Sequence, residues 1–252
     1  MNITQIRNAT LRVQFGGVEF LIDPFLAAKG AYPSFPNTPN ADKHNPLVEL
    51  PVAAEEVVRA DVTIVTHLHL DHYDDVAKRL LPKQMRLLAQ SEQDAASMRA
   101  DGFEQVDVIG DSTYVGDVRI QRTSGQHGTG EIGQRMGKVS GIVLTHPRER
   151  TLYIAGDTIW CTDVEAAIEQ YQPKVIVVNG GAAQFLQGDP ILMGKDDIYR
   201  THQEAPDALV IVSHMEAVNH CLLTRTELRN FLQEKGLTSS IYVPEDGESL
   251  SF

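Results

Sequence analysis

The sequence predicts an α/β fold in which β-sheets lie between helical layers. Three observations lead there: an N-terminal stretch that alternates apolar and polar residues, a series of short apolar runs after Glu56, and helices with readable start and stop signals between those runs. In chain order, Leu11, Val13 and Phe15 alternate with Arg12 and Gln14, and Gly16-Gly17 leads into Val18 to Ile22, the pattern of a hairpin with a two-residue turn. From Lys29 to Glu56 five prolines stand among small and polar residues, which reads as an irregular insertion, either a lid or pocket wall or a solvated excursion. Val62 to Val65, Leu152 to Ala155, Val175 to Val178, Leu209 to Val212 and Ile241 to Val243 read as buried strands. Asp74 to Leu81 before Pro82, and Ser91 to Ala100 before Gly102, read as helices. Thr162-x-x-Glu165 reads as a capping box opening a helix with Val164, Ile168 and Tyr171 on one face. Thr224-x-x-Glu227 opens another with Leu228, Phe231 and Leu232, stopped by Gly236.

With 252 residues, 42% of them hydrophobic and 22% charged, the chain suits one domain over 1–252 that carries the Pro-rich insertion at 29–56. The start lacks a basic segment with an apolar run, and no stretch approaches the roughly 18 apolar residues of a membrane span. A cytoplasmic protein without a membrane partner is therefore expected. Cys161 and Cys221 are too few for a disulfide framework and read as reduced thiols. A net charge of -12 argues against long nucleic acid as partner, since that affinity rests on Lys and Arg neutralising phosphates. A small-molecule substrate is expected, and an anionic one stays open because bound cations could make one pocket locally positive. Oligomeric state is left open.

The chemistry is concentrated in Thr66-His67-Leu68-His69-Leu70-Asp71-His72, directly after the apolar run Val62 to Val65. In an extended segment, residues two apart face the same side, so His67 and His69 can close on one cation, while Asp71 and His72 lie where the chain turns into a helix and can face a second. Further candidates stand past later strands: His127 after an alternating strand from Val115 to Thr123, Asp157 after Gly156, and His214 after Leu209 to Val212. Gly156 would let the backbone pass close to the metals.

Through His-x-His-x-Asp-His at 67–72, His127, Gly156-Asp157 and His214, the sequence resembles the metallo-β-lactamase-fold hydrolases along nearly its whole length. Leu21-Ile22-Asp23-Pro24 looks like that family's early strand-end signature. Asn179-Gly180-Gly181 and Asp196-Asp197 look like its ascorbate-phosphate lactonase-like branch, whose common Gly-His-Ala-Thr is here Arg7-Asn8-Ala9-Thr10. The resemblance implies an αββα four-layer sandwich with two metals, one held by His67, His69 and His127, the other by Asp71, His72 and His214, bridged by Asp157. Flavodiiron members carry Glu where this chain has His69, which disfavours a redox role of that kind.

Five imidazoles and two carboxylates without a thiolate suit two Zn²⁺ ions, and Mn²⁺ or Fe²⁺ accept the same donors. The expected activity is hydrolysis of a small ester, lactone, amide or phosphoester by a metal-bridging hydroxide, with Asp71 orienting the nucleophile and His220 protonating the leaving group. Backbone amides of Asn179-Gly180-Gly181 could serve a developing oxyanion. Two rivals remain at this point: a mononuclear iron dioxygenase using His67, His69 and Asp157, and a metal-containing binding protein without turnover.

Overall fold

The computed structural model describes residues 1–110 and 112–252, and among them two seven-stranded sheets stack face to face. The first is built from β1 (Asn2–Arg7), β2 (Thr10–Phe15), β3 (Val18–Ile22), β4 (Val62–Val65), β5 (Arg86–Ala89) and β6 (Gln105–Val108). The second takes β7 (Thr113–Val115), β8 (Val118–Ser124), β9 (Ser140–Thr145), β10 (Leu152–Ile154), β11 (Val175–Asn179), β12 (Leu209–Ser213) and β13 (Ile241–Tyr242), before β14 (Ser249–Ser251) returns to the free edge of β1. Each sheet is mixed. The first is antiparallel through β1, β2 and β3 and parallel from β3 to β6, and the second is antiparallel from β7 to β10 and parallel from β10 to β13.

The period-2 direction of strand side chains sorts each strand between two cores. In β11, Val175 and Val177 face the first sheet, where they join Phe15, Phe20, Ile64, Ile120 and Ile142 in the central core. Ile176 and Val178 face the other way, onto Val164 and Ile168 of α5 (Thr162–Tyr171), Ile198 of α6 (Lys195–Glu204) and Leu228 and Leu232 of α7 (Arg225–Lys235). On the far side of the first sheet, Leu21, Val65 and Leu87 pack against α1 (Ala54–Val57), α2 (Asp75–Leu80) and α3 (Glu92–Ala100). The layers thus run helix, sheet, sheet, helix, as the resemblance implies. A short α4 (Gly130–Met136) lies outside this scheme and buries none of its residues.

Local signals act as expected where the side chains reach their partners. Ser91 and Asp74 accept from the amides three residues on and so cap α3 and α2. Thr224 and Glu227 form a reciprocal capping box, and Gly236 ends α7 in the left-handed region. Two readings need correction. Thr162 is the first helical residue of α5 rather than its cap, since Cys161 holds the extended cap position without a side-chain bond. The stretch from Val115 to Thr123 is a hairpin rather than one strand: Gly116, at a φ of +56°, turns β7 back into β8 and Val115 pairs with Val118. No helix among the described residues is long and apolar enough to cross a membrane.

Candidate metal centre

His67, His69, Asp71 and His72 fill the connection from β4 to α2. The chain leaves β4 extended, and His67 Nε2 comes within 2.9 Å of His69 Nδ1. It then tightens into a turn in which the amides of His72 and Tyr73 donate to the His69 carbonyl at 3.0 and 3.1 Å, which swings Asp71 and His72 into a second group. His127, Asp157 and His214 come from the other sheet. β8 and β10 both run antiparallel to β9, and β10, β11 and β12 run parallel, so β8, β10 and β12 present their C-terminal ends along one rim. His214 follows β12 directly, at a φ of +60°.

The donor atoms form three overlapping sets, each with its atoms within 4.8 Å of one another: His67, His69 and His127; His67, His72 and Asp157; Asp71, His72 and His214. Asp157 stands between the outer two. Its Oδ2 lies 3.1 Å from His72 Nε2, 3.5 Å from His127 Nε2 and 3.8 Å from His67 Nε2, and its Oδ1 lies 3.8 Å from His214 Nε2. All seven residues singled out in the sequence therefore gather at one place. His220 lines the same cavity without joining a set, and His44, His146 and His202 belong to none.

Whether this hollow suits a metal can be read from the outward nitrogens. His67 Nδ1 sits 3.1 Å from Thr66 Oγ1, His72 Nδ1 donates to Asp23 Oδ2 at 2.9 Å, His127 Nδ1 donates to the Ile191 carbonyl at 2.8 Å, and His214 Nδ1 lies 3.6 Å from Cys221 Sγ. Each of the four rings is thus held from behind with Nε2 aimed inward, the arrangement that orients imidazoles for a cation. With nitrogen and oxygen donors and no thiolate among the three sets, the residues fit a divalent ion.

Charge among the side chains of the site is balanced internally. Burial lowers the pKa of His67, His69 and His127 and so keeps these imidazoles neutral. Burial also opposes a charged His72, but Asp157 and Asp23 outweigh it and hold that ring up at about 10. His214 is likewise raised against burial, by Asp157 and Asp71 among its neighbours. Asp71 and Asp157 stay ionised far below the usual carboxylate range, because His214 and His72 overcome the cost of their burial.

Three residues whose side chains carry no role in the sequence analysis hold this arrangement in place. Asp23, past the end of β3, accepts from the Thr66 amide and hydroxyl, both at 2.7 Å, as well as from His72. Asn179 Nδ2 donates to Asp157 Oδ1 at 2.6 Å, and Asn8 Nδ2 lies 3.1 Å from the Asp71 carbonyl, 3.3 Å from its Oδ2 and 3.2 Å from His214 Nε2. The strand-end position that singled out Asp157 also singles out Asp23 and would have found it. Replacing Asp23 with asparagine, which tolerates the left-handed φ of +45° there, is expected to lower apparent metal affinity by about 10- to 100-fold. Metal retention against a graded chelator reads this, and unchanged retention would remove Asp23 from that role.

Two glycine readings change. The amide of Gly180 donates to the Ser213 carbonyl at 3.0 Å and both Gly180 and Gly181 are buried, so the amides expected to be exposed for an oxyanion are not. Gly156 is required by its φ of +70° and by the Ser140 carbonyl, which would stand 2.4 Å from a Cβ, rather than by an approach to the metals.

A cavity of about 200 Å³ opens onto Asp71, Asp157, His214 and His220, walled by Phe35, Pro36, Met136, Phe185, Ile191 and Leu192. A broader cleft of about 1090 Å³, with Gln90, Arg122 and Lys138 in its walls, reaches His67 and shares His69, His127 and Met136 with the cavity. Only the smaller cavity touches both carboxylates and His220, so it is the one suited to hold a reacting group.

The sequence profile of the Beta-lactamase superfamily domain matches residues 19–215. The UPF0173 protein YddR of Bacillus subtilis (strain 168) is 51% identical over 254 residues, covering 100% of both chains. Among solved structures, an isothiocyanate hydrolase from Delia radicum gut bacteria is 42% identical with a TM-score of 0.96, covering 100% of this chain and 99% of that one. A possible metal-dependent hydrolase from Veillonella parvula DSM 2008 is 36% identical with a TM-score of 0.97 at the same coverage.

Proposed function

Because the chain belongs to the beta-lactamase superfamily and to the UPF0173 family, and is a metal-dependent hydrolase, we propose that its substrate is a small, neutral, apolar electrophile of the isothiocyanate class. The observation that carries this reading is the wall of the 200 Å³ cavity, which is hydrocarbon apart from the candidate centre and His220 and has no Lys or Arg among its described lining residues. That wall offers a phosphoester no Lys or Arg, so its charge would be met by the bound ions alone, whereas the hydrocarbon faces favour a neutral group. Esters, lactones and amides meet no such objection, and the isothiocyanate hydrolase of similar sequence favours a linear R–N=C=S group over them.

In this reading His67, His69 and His127 hold one divalent ion, Asp71, His72 and His214 hold a second, and Asp157 contributes to both. Zinc is the ion of first choice for these donors, and when bound such ions polarise an electrophile and bring the pKa of water toward neutrality. Asp71, ionised and facing the cavity, orients water and takes up its proton. His220 is buried and its pKa is lowered to about 4, so it stays neutral at neutral pH. Its buried Nδ1 has no hydrogen-bond partner among the described residues, so that atom does not fix the tautomer, and the ring can present N–H to the substrate nitrogen. The reaction balances as R–N=C=S plus water giving R–NH₂ and O=C=S: oxygen adds to carbon, the C–N bond breaks, and both protons of water end on nitrogen.

Two variants separate the roles of the neighbouring histidines. His214→Ala is expected to lose one metal, whereas His220→Ala is expected to keep two and lose about 10²-fold in turnover. A demetallated His220→Ala beside a fully metallated His214→Ala would reverse the assignment. The substrate reading is tested with the metal-loaded protein on benzyl isothiocyanate, a phenyl ester, a lactone and a phosphomonoester. Release of amine and carbonyl sulfide from the first is expected, and turnover of the phosphomonoester alone would overturn it.

A further inference from the structure

The Pro-rich segment that supplies Phe35 and Pro36 to the cavity contains, between Lys29 and Ala53, no strand or helix beyond an isolated bridge from Tyr32 to Asn45. Something else must fix where Phe35 stands. Asn219, buried and next in sequence to His220, makes six hydrogen bonds to this segment. Its Oδ1 accepts from the Phe35 amide at 3.1 Å and from Asn45 Nδ2 at 2.9 Å, and its Nδ2 donates to Thr38 Oγ1 and to the Pro39 carbonyl, both at 2.7 Å. Its backbone amide donates to Asn45 Oδ1 at 2.8 Å, and its carbonyl accepts from Asn40 Nδ2 at 2.9 Å. Both lone pairs and both protons of the carboxamide are therefore used, a pattern only an asparagine of this reach can satisfy. One residue along, the Phe35 and His220 rings pack in a T shape, with centroids 4.8 Å apart and planes at 77°.

From this arrangement we propose that Asn219 is the positioning residue that sets substrate selectivity: it seats Phe35 as the wall against which the substrate's hydrocarbon group lies, in register with His220. The inference rests on the isothiocyanate reading for the name of the reacting group, but the wall itself is defined by contacts that hold for any ligand. An apolar wall of this kind discriminates by the hydrocarbon area it covers, so a large group feels its loss more than a small one.

Asn219→Ala, Asn219→Asp and Phe35→Ala are compared with the wild type. All are metal-loaded and assayed on benzyl and methyl isothiocyanate, with benzyl alcohol binding followed by ligand-detected NMR and amide hydrogen exchange followed over 32–45. Asn219→Asp keeps both acceptor contacts of Oδ1 but loses both donations of Nδ2 and sets a carboxylate oxygen against the Pro39 carbonyl, so it disrupts the same seat by a second route. We expect Asn219→Ala to retain its metals and to exchange the Phe35 amide at least about tenfold faster. Its kcat/KM for the benzyl compound should fall about 10- to 100-fold, mainly through KM, while the methyl compound changes less than about threefold, as in Phe35→Ala. Asn219→Asp should show the same selective loss on the benzyl compound. Equal losses on both compounds would reduce Asn219 to a structural role, and an unchanged preference despite faster exchange would take selectivity away from the wall. If the wild type hydrolyses neither isothiocyanate yet binds benzyl alcohol in an Asn219-dependent way, the reaction reading falls and the wall stands. If neither variant weakens benzyl alcohol binding, the wall falls.

Discussion

Asp157→Ala is expected to abolish or severely weaken binding at both proposed metal positions and to remove activity. Asp157 Oδ2 lies within 3.8 Å of His67, His72 and His127, and its Oδ1 lies 3.8 Å from His214, so one side chain serves both donor groups. A carboxylate in that position also offsets the repulsion between two dications. Its removal leaves His72 and His214 without their shared counter-charge, and breaking a buried pair by deleting one partner costs about 3–5 kcal/mol where it has been measured. The chain should therefore fold less stably as well as bind less metal. Metal analysis after dialysis, alongside thermal unfolding, reads both effects. Retention of two ions per chain would remove Asp157 from the bridging role.

Asp71→Asn is expected to lower turnover by about 10³-fold while changing KM by less than about threefold, measured at saturating metal. Asparagine keeps the shape and the neighbour Asn8, but gives up the charge that lets Asp71 take a proton from water. An interaction made only as the reaction proceeds lowers kcat and kcat/KM together. A raised KM with unchanged turnover would place Asp71 in substrate binding instead.

Much of this architecture was legible in the chain. The apolar runs at 62–65, 152–155, 175–178 and 209–212 are strands because a sheet covered on both faces demands continuous apolar residues, and their ends collect the donors. The clustered motif at 67–72 could be read because its residues meet one another locally. β1, with Thr4, Gln5 and Arg7 among its six residues, carries no such run, and it is a strand because β2 and β14 flank it. β14 has only three residues and an edge position. The side-chain roles of Asn8 and Asn179 escaped for a different reason: their partners lie 206 and 22 residues away in sequence, and a hydrogen bond across that distance leaves no periodicity. The six bonds of Asn219 are hidden in the same way, since nothing in Val218-Asn219-His220 distinguishes it from a loop asparagine.

The balance of charge among these side chains sets protons and cations in competition for the same atoms. Protons on His72 and His214 occupy the place that cations would take, so each entering ion must send protons out to solvent. The neighbouring carboxylates raise both pKa values, so protons compete with cations for these rings. Apparent metal affinity should accordingly climb with pH, by about tenfold per pH unit for each proton displaced, and acidification should unload the protein. The supply of metal and the acidity of the surroundings then act as a single variable, and the fraction of active molecules follows their ratio.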